Sequence, residues 1–439
     1  MEQRPLTSQK RKRNYGVDIL KMISMFMVTI LHTIGYGGFL DPKKRILNTY
    51  VSYLMEIGAY CAVDIFGMVS GYLIINSKKV NLFKFVPLWL TVFFYTFSIT
   101  MLFKFVPPLA KYKKIGLNEI LTAFFPIYNK SYWYFTSYFG LYMFIPYINE
   151  LLHSIGKRRH KHLIIIIISF LSVIPIIVIG KKNDNFTINN GYSQWWLGCL
   201  YVIGAYFKLY PVKINKLLLL VVYVISILIV WAAFFFQSHF YLLQYESIFI
   251  LLSGISLFLL FIQVDVKSKF IQKILELGSS VSFCVYIIHF NPILYPIYLR
   301  GKLASLINDP TILLVLKTLL TASAIYITCS VIDLFRYYLF KFLNVNKLPG
   351  ILENYYKKIV KDDDDDTNKK DSEVKDTDYR KINNEDTESS ENTYQELSVE
   401  VIPPSTNDNT MRSNQQLNSE SLSDLYDNES KFLIKTESK

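Results

Sequence analysis

The sequence predicts an all-α fold: a polytopic membrane bundle of about ten transmembrane helices, followed by a disordered acidic C-terminal tail. Three observations predict it. Hydrophobic residues make up 51% of the 439. They gather in runs of about 20 residues almost free of charge, the length a helix needs to cross a bilayer. Basic residues fill the short loops between those runs. Beyond about residue 350 the chain turns polar and acidic.

In chain order, a basic start at 1–15 precedes expected spans at 16–38, 47–75, 83–106, 131–151, 162–180, 194–210, 217–236, 245–263, 280–299 and 312–342. The first run is too long for a signal-peptide core and has no small-residue cleavage site, so it is expected to stay in the mature protein. The second run is long and carries Glu56 and Asp64, so it is expected to be bent or tilted, a break at membrane depth being tolerated where it lines a cavity. Residues 107–130 read as an amphipathic segment on the membrane surface. The loops alternate in charge. One side holds Arg11-Lys12-Arg13, Lys78-Lys79, Lys157 to Lys161, Lys213 with Lys216, and Lys267 with Lys273, and it outweighs the other. The positive-inside rule therefore puts both termini in the cytoplasm and the chain, multi-pass, in the cell membrane. The membrane domain is expected over 16–345 and the tail over 346–439. The tail contains five aspartates at 362–366 and cannot bury a core.

The net charge of +12 hides two parts. From Lys361 onward there are 10 Lys/Arg against 21 Asp/Glu, and before it 37 against 14. A basic membrane part suits the lipid bilayer's anionic surface and anionic ligands. It does not point to nucleic acid, because the charges sit in short loops between apolar runs. Cys61, Cys199, Cys284 and Cys329 all fall in apolar runs and read as buried small residues. No disulfide framework and no metal site is expected.

The first span carries Asp18, Lys21 and His32, which a plain anchor would not need. An ionisable group near the centre of a membrane helix costs about 2.5–3.5 kcal/mol on insertion scales. At 100° per residue, His32 returns to within about 20° of Lys21 and about 40° of Asp18. All three share one stripe, with Met22, Met25 and Thr29 close to it. Eleven residues rise about 16 Å, so Lys21 lies near the cytoplasmic edge and His32 well inside. That spacing suits a ligand whose charged end meets Lys21 and whose reactive end reaches His32. The structural alternative is that Asp18 and Lys21 pair locally and snorkel to the interface.

The opening NYGVDILKMISMFMVTILH, with Lys21, ten residues, then His32, resembles the start of the acyltransferase family 3 membrane proteins. Three more segments strengthen the resemblance: AVDIFGMVSGYLI at 62–74, SYWYFTSYFGLYMFIPYIN at 131–149 and LGSSVSFCVYIIHFNPIL at 277–294. They contribute Phe66, Ser70, Gly71 and Tyr72, then Trp133 and Tyr134, then Tyr286 and His289. The likeness covers about 12–345 and excludes the tail. One stretch departs from it: 75–89 offers Lys78, Lys79 and Lys84 where relatives place arginines, giving point charge without bidentate geometry.

The resemblance implies transfer of an acyl group, acetyl above all, from cytoplasmic acyl-CoA to a hydroxyl of an extracytoplasmic glycan or lipid-linked sugar. Acyl-CoA is then the donor substrate, acetyl-CoA by expectation, and no bound cofactor or metal is called for. His32 is the expected general base. Asp18 is expected to hold Lys21, and Lys21, with Lys78, Lys79 and Lys84, to meet the donor's phosphates. Trp133 and Tyr134 are either interfacial belt residues or stack on a sugar. His289 either locks two helices or lines the acceptor cavity. Competing readings are a transporter or flippase for an anionic or glycosylated lipid, and a sensor or scaffold working through the acidic tail.

Overall fold

Asn14 starts the first helix. Its side chain accepts from the Gly16 amide and its own amide donates to the Ile262 carbonyl at 2.9 Å. That cap fixes α1 (Tyr15–Gly37), which stops at Gly38, a left-handed residue with φ +89°. A side chain there would meet Gly301 Cα at 2.8 Å, and the Gly301 and Leu303 amides donate to the Tyr36 and Gly37 carbonyls. The end of α1 is thereby strapped to the 299–303 turn.

The computed structural model describes residues 13–40, 46–77, 82–128, 132–177, 188–235 and 242–359. After α1 come α2 (Leu47–Tyr60), α3 (Ala62–Ile74), α4 (Phe85–Phe105), the short α5 (Leu117–Phe124), α6 (Trp133–Ser154) and α7 (Gly156–Ile168). Then follow α8 (Gln194–Leu209), α9 (Lys216–Phe235), α10 (Ile248–Ile262), α11 (Lys269–His289) and α12 (Thr311–Phe342). Among the described residues there is no strand. The hydrophobic core lies along α1, which packs against α2, α3, α10, α11 and α12.

Among the described residues six helical stretches are long and apolar enough to cross a membrane: α1, α2 with α3, residues 82–105 ending in α4, α9, α11 and α12. They match six of the ten expected spans. The other four expectations fall on helices of a different kind. α8 and α10 have 16 and 15 residues, short of the roughly 20 a bilayer core requires. α6 is long but too polar, and α7 passes into a π-turn at Ser169–Val173. The ninth span was expected at 280–299, yet α11 starts at Lys269 and ends at His289. Ser268 caps its start by accepting from the Ile271 amide, and Pro292 and Pro296 rule out an unbroken helix beyond. The tail was expected from 346, but 348–359 are helical, and 360–439 lie outside the described residues.

The second span is bent, as its length and polar residues suggested. Cys61 separates α2 from α3 at φ −68°, ψ −2°. Below that bend α3 crosses α8 backbone to backbone. A side chain on Gly204 would lie 1.9 Å from the Met68 carbonyl oxygen, and one on Gly71 2.0 Å from that of Tyr201. Small residues permit such an approach between membrane helices. Gly204→Leu is therefore expected to destabilise the bundle by at least about 1–3 kcal/mol, the usual scale of overpacking. Thermal unfolding in detergent checks this; an unchanged midpoint would contradict the crossing.

A second fastening joins α4 to α12. Asp333, fully buried, accepts from Arg336 at 2.6 and 2.7 Å and from the Tyr95 hydroxyl at 2.7 Å. The carboxylate's lone pairs are thus satisfied without water, the condition under which a buried ion pair is tolerated. α5 packs on α4 and leaves Leu117, Leu121 and Phe124 exposed, the pattern of a helix lying in the membrane interface.

Candidate active site

His32 stands on the fifth turn of α1, near the end strapped to 299–303. Its Nδ1 lies 2.7 Å from Nε2 of His289, the last residue of α11. The other nitrogen of His289, Nδ1, faces the Val285 carbonyl at 2.5 Å, and the Tyr298 hydroxyl donates to the His289 carbonyl. These contacts fix the tautomers. A carbonyl only accepts, so His289 Nδ1 carries a proton and its Nε2 presents a lone pair. His32 Nδ1 must then donate, which leaves the lone pair on His32 Nε2. The Phe290 ring stacks on His32 at 4.3 Å and Tyr36 meets it edge-on at 5.6 Å. His32 therefore has one orientation and one basic nitrogen.

That imidazole lines a narrow cavity of about 60 Å³. Met25, Val28 and Leu31 of α1 form one wall, Phe283 and Tyr286 of α11 another, and Val63 and Phe66 of α3 a third. Trp133, Tyr134 and Tyr245 also line it. Trp133 is packed among Tyr134, Tyr192 and Tyr245, so its ring is part of a cluster of four aromatics. The wall from Met25 to His32 runs about 10 Å along α1.

At the other end of α1 lies a charge cluster. Arg13 grips Asp18 bidentately, at 2.6 and 3.0 Å, and reaches Ser279 of α11 at 3.2 Å. The hydrogen bond to Asp18 holds the guanidinium above its ordinary pKa. Lys21 is 3.8 Å from the same carboxylate and half-buried. The Tyr15 hydroxyl donates to Glu276 of α11 at 2.9 Å. Two cations thus share one carboxylate, and Glu276 nearby balances the second charge.

Several expected site residues sit elsewhere than the sequence placed them. Asp18 belongs first to Arg13 and only second to Lys21, because a guanidinium fork matches both carboxylate oxygens. Arg13 had read as part of a loop of like charges; its position just before the Asn14 cap was the available signal. His289 does not line the cavity. It is 1% exposed, behind His32, with both ring nitrogens engaged. Asp64 does not line it either: it is buried and accepts from Trp196 Nε1 at 3.0 Å, across the α3–α8 crossing. Lys84 is exposed just before α4, and no hydrogen bond or ion pair joins it to Asp18 or Lys21 among the described residues. Lys78 and Lys79 lie outside the described residues. The cysteines are free, and no cluster of metal-ligating side chains occurs among the described residues.

Apolar helices of spanning length, packed round a cavity lined by an oriented histidine, define an integral membrane protein. The chain belongs to acyltransferase family 3, whose acyltransferase domain matches residues 14–331. The match takes in both histidines, the Arg13 partner Asp18 and the whole cavity wall. No curated protein and no solved structure matches the chain.

Proposed function

We propose that this membrane acyltransferase moves a short acyl group, acetyl above all, from cytoplasmic acyl-CoA to a hydroxyl of an extracytoplasmic glycan or lipid-linked sugar. The observation that carries the reading is His32 in the cavity wall, with His289 holding its Nδ1 proton and so leaving the lone pair on Nε2. The acceptor hydroxyl attacks the thioester carbonyl carbon while its proton passes to Nε2. The tetrahedral adduct collapses, the C–S bond breaks, and the imidazolium returns the proton to the leaving thiolate. The products are the sugar ester and free CoA thiol.

Three features support the donor's side. Lys21, loosely held at 3.8 Å from Asp18 and partly exposed, offers an ammonium suited to a phosphate, and lies about 16 Å from His32 along α1. The apolar wall between them suits the uncharged arm that joins the CoA nucleotide to its thioester. A cavity of 60 Å³ has room for roughly four to six waters, enough for an acetyl group and too little for a long chain. The loop charges orient the Lys21 end toward the cytoplasm and the His32 end outward.

Lys21→Ala is expected to raise KM for acetyl-CoA about tenfold, the order of one partly exposed charge-assisted contact, with kcat nearly unchanged. Steady-state thioester turnover in detergent measures both. An unaltered KM would remove the phosphate role. The reading as a whole is tested by mass analysis of surface glycans from cells with and without the gene: an ester that is present only with the protein supports it, and identical glycans overturn it.

A further inference from the structure

A second and larger cavity, about 230 Å³, opens beside the histidine pair and has a mixed lining, part apolar and part polar. Thr96 and Thr100 of α4, Lys113, Asn118 and Thr122 on and before α5, and Asn291 form its walls. Ala123, Pro292 and Ile293 supply its apolar surface. The three threonine hydroxyls each donate to a backbone carbonyl: Thr96 to Ala123 at 2.9 Å, Thr100 to Thr96 and Thr122 to Asn118 at 2.7 Å. Each keeps lone pairs for a further donor. Lys113 and the Asn118 amide supply donors. Glu119, which accepts from the Gly116 amide, balances Lys113, so the walls carry no net charge. The Thr96 bond also ties α5 to α4, which holds the hollow open.

Its position matters as much as its lining. Asn291 follows His289 by two residues and donates to the Tyr132 hydroxyl at 3.1 Å, which donates to the Ile287 carbonyl at 2.9 Å. The Tyr132 ring meets Tyr286, a wall of the His32 cavity, edge-on at 5.8 Å. One layer of side chains therefore separates the polar hollow from the apolar one. Walls that set apolar surface beside balanced donors and acceptors match a sugar ring, with its C–H face and its hydroxyls, rather than a phosphate or a cation, and 230 Å³ is about the room of a single sugar ring rather than of a drug-sized molecule.

We infer that this hollow is a carbohydrate subsite. It seats one neutral pyranose ring of the acceptor, adjacent in the glycan to the sugar that is acylated. The inference rests on the glycan-acceptor reading above and adds to it a second recognition point away from His32.

The test uses the full-length chain in lipid nanodiscs, with saturation-transfer NMR against neutral tetrasaccharides of glucose and of N-acetylglucosamine. Asn118 and Thr122 are exposed, so Asn118→Leu with Thr122→Val removes polar lining without touching the core. The parent is expected to bind a tetrasaccharide and the double variant to bind it at least tenfold more weakly, with acetyl-CoA hydrolysis in the absence of sugar unchanged. Lys113→Met serves as an independent variant with the same expectation should the double variant lose its fold. Equal binding by parent and variants, or no tetrasaccharide binding by the parent, overturns the subsite. Sugar binding that depends on the hollow, together with thioester turnover indifferent to His32→Ala, would leave the subsite standing and overturn the acyl-transfer mechanism instead.

Discussion

His32→Ala is expected to lower acyl transfer by about 10²–10⁴-fold, the usual contribution of a positioned general base. The loss should fall on kcat, because the phosphate contact proposed at Lys21 lies about 16 Å away and would stay intact. His32 is partly accessible within the cavity, so its removal does not expose the core. Thioester turnover and sugar esterification measured on the purified variant decide the point. Turnover equal to the parent's would show that another group takes the hydroxyl proton.

His289→Ala is expected to reduce kcat by about 10–100-fold, the range seen when an orienting partner of a reactive imidazole is removed. His289 touches no cavity space, so its part is positional: it keeps the proton on His32 Nδ1 and the lone pair on Nε2. Alanine there also leaves the Val285 carbonyl without its side-chain donor. His289→Gln separates positioning from packing. A glutamine carboxamide can place an acceptor near the former Nε2 and is expected to recover a substantial part of kcat, whereas His289→Leu, of similar bulk and no acceptor, is not. Equal activity of the Gln and Leu variants would mean that His289 serves packing alone.

Much of this was legible in the sequence because the signals are local. The stripe of Asp18, Lys21 and His32 follows from 100° per residue along one helix, and it survives folding because α1 is one unbroken helix. The bend of the second span followed from its excess length and its polar residues. Span limits were less legible where the structure uses short helices. Apolar runs such as 245–263 look like full spans, but periodicity cannot tell a membrane-crossing helix from a short buried one.

The sequence by itself determined that this is a helical membrane protein of acyltransferase family 3, and which face of its first helix bears the ionisable groups. Only the tertiary structure decided their partners. His32 meets a histidine 257 residues away, Asp18 answers Arg13 before Lys21, and Asp64 turns to Trp196 rather than to a cavity. Helical period sets the direction in which a side chain leaves its own helix. What it meets is set by how neighbouring helices cross, and here those crossings depend on backbone contacts at Gly71 and Gly204 and on the strap from Gly38 to Gly301. The single basic nitrogen left on His32 is therefore a product of packing, carried by residues that a local pattern identifies singly and cannot pair.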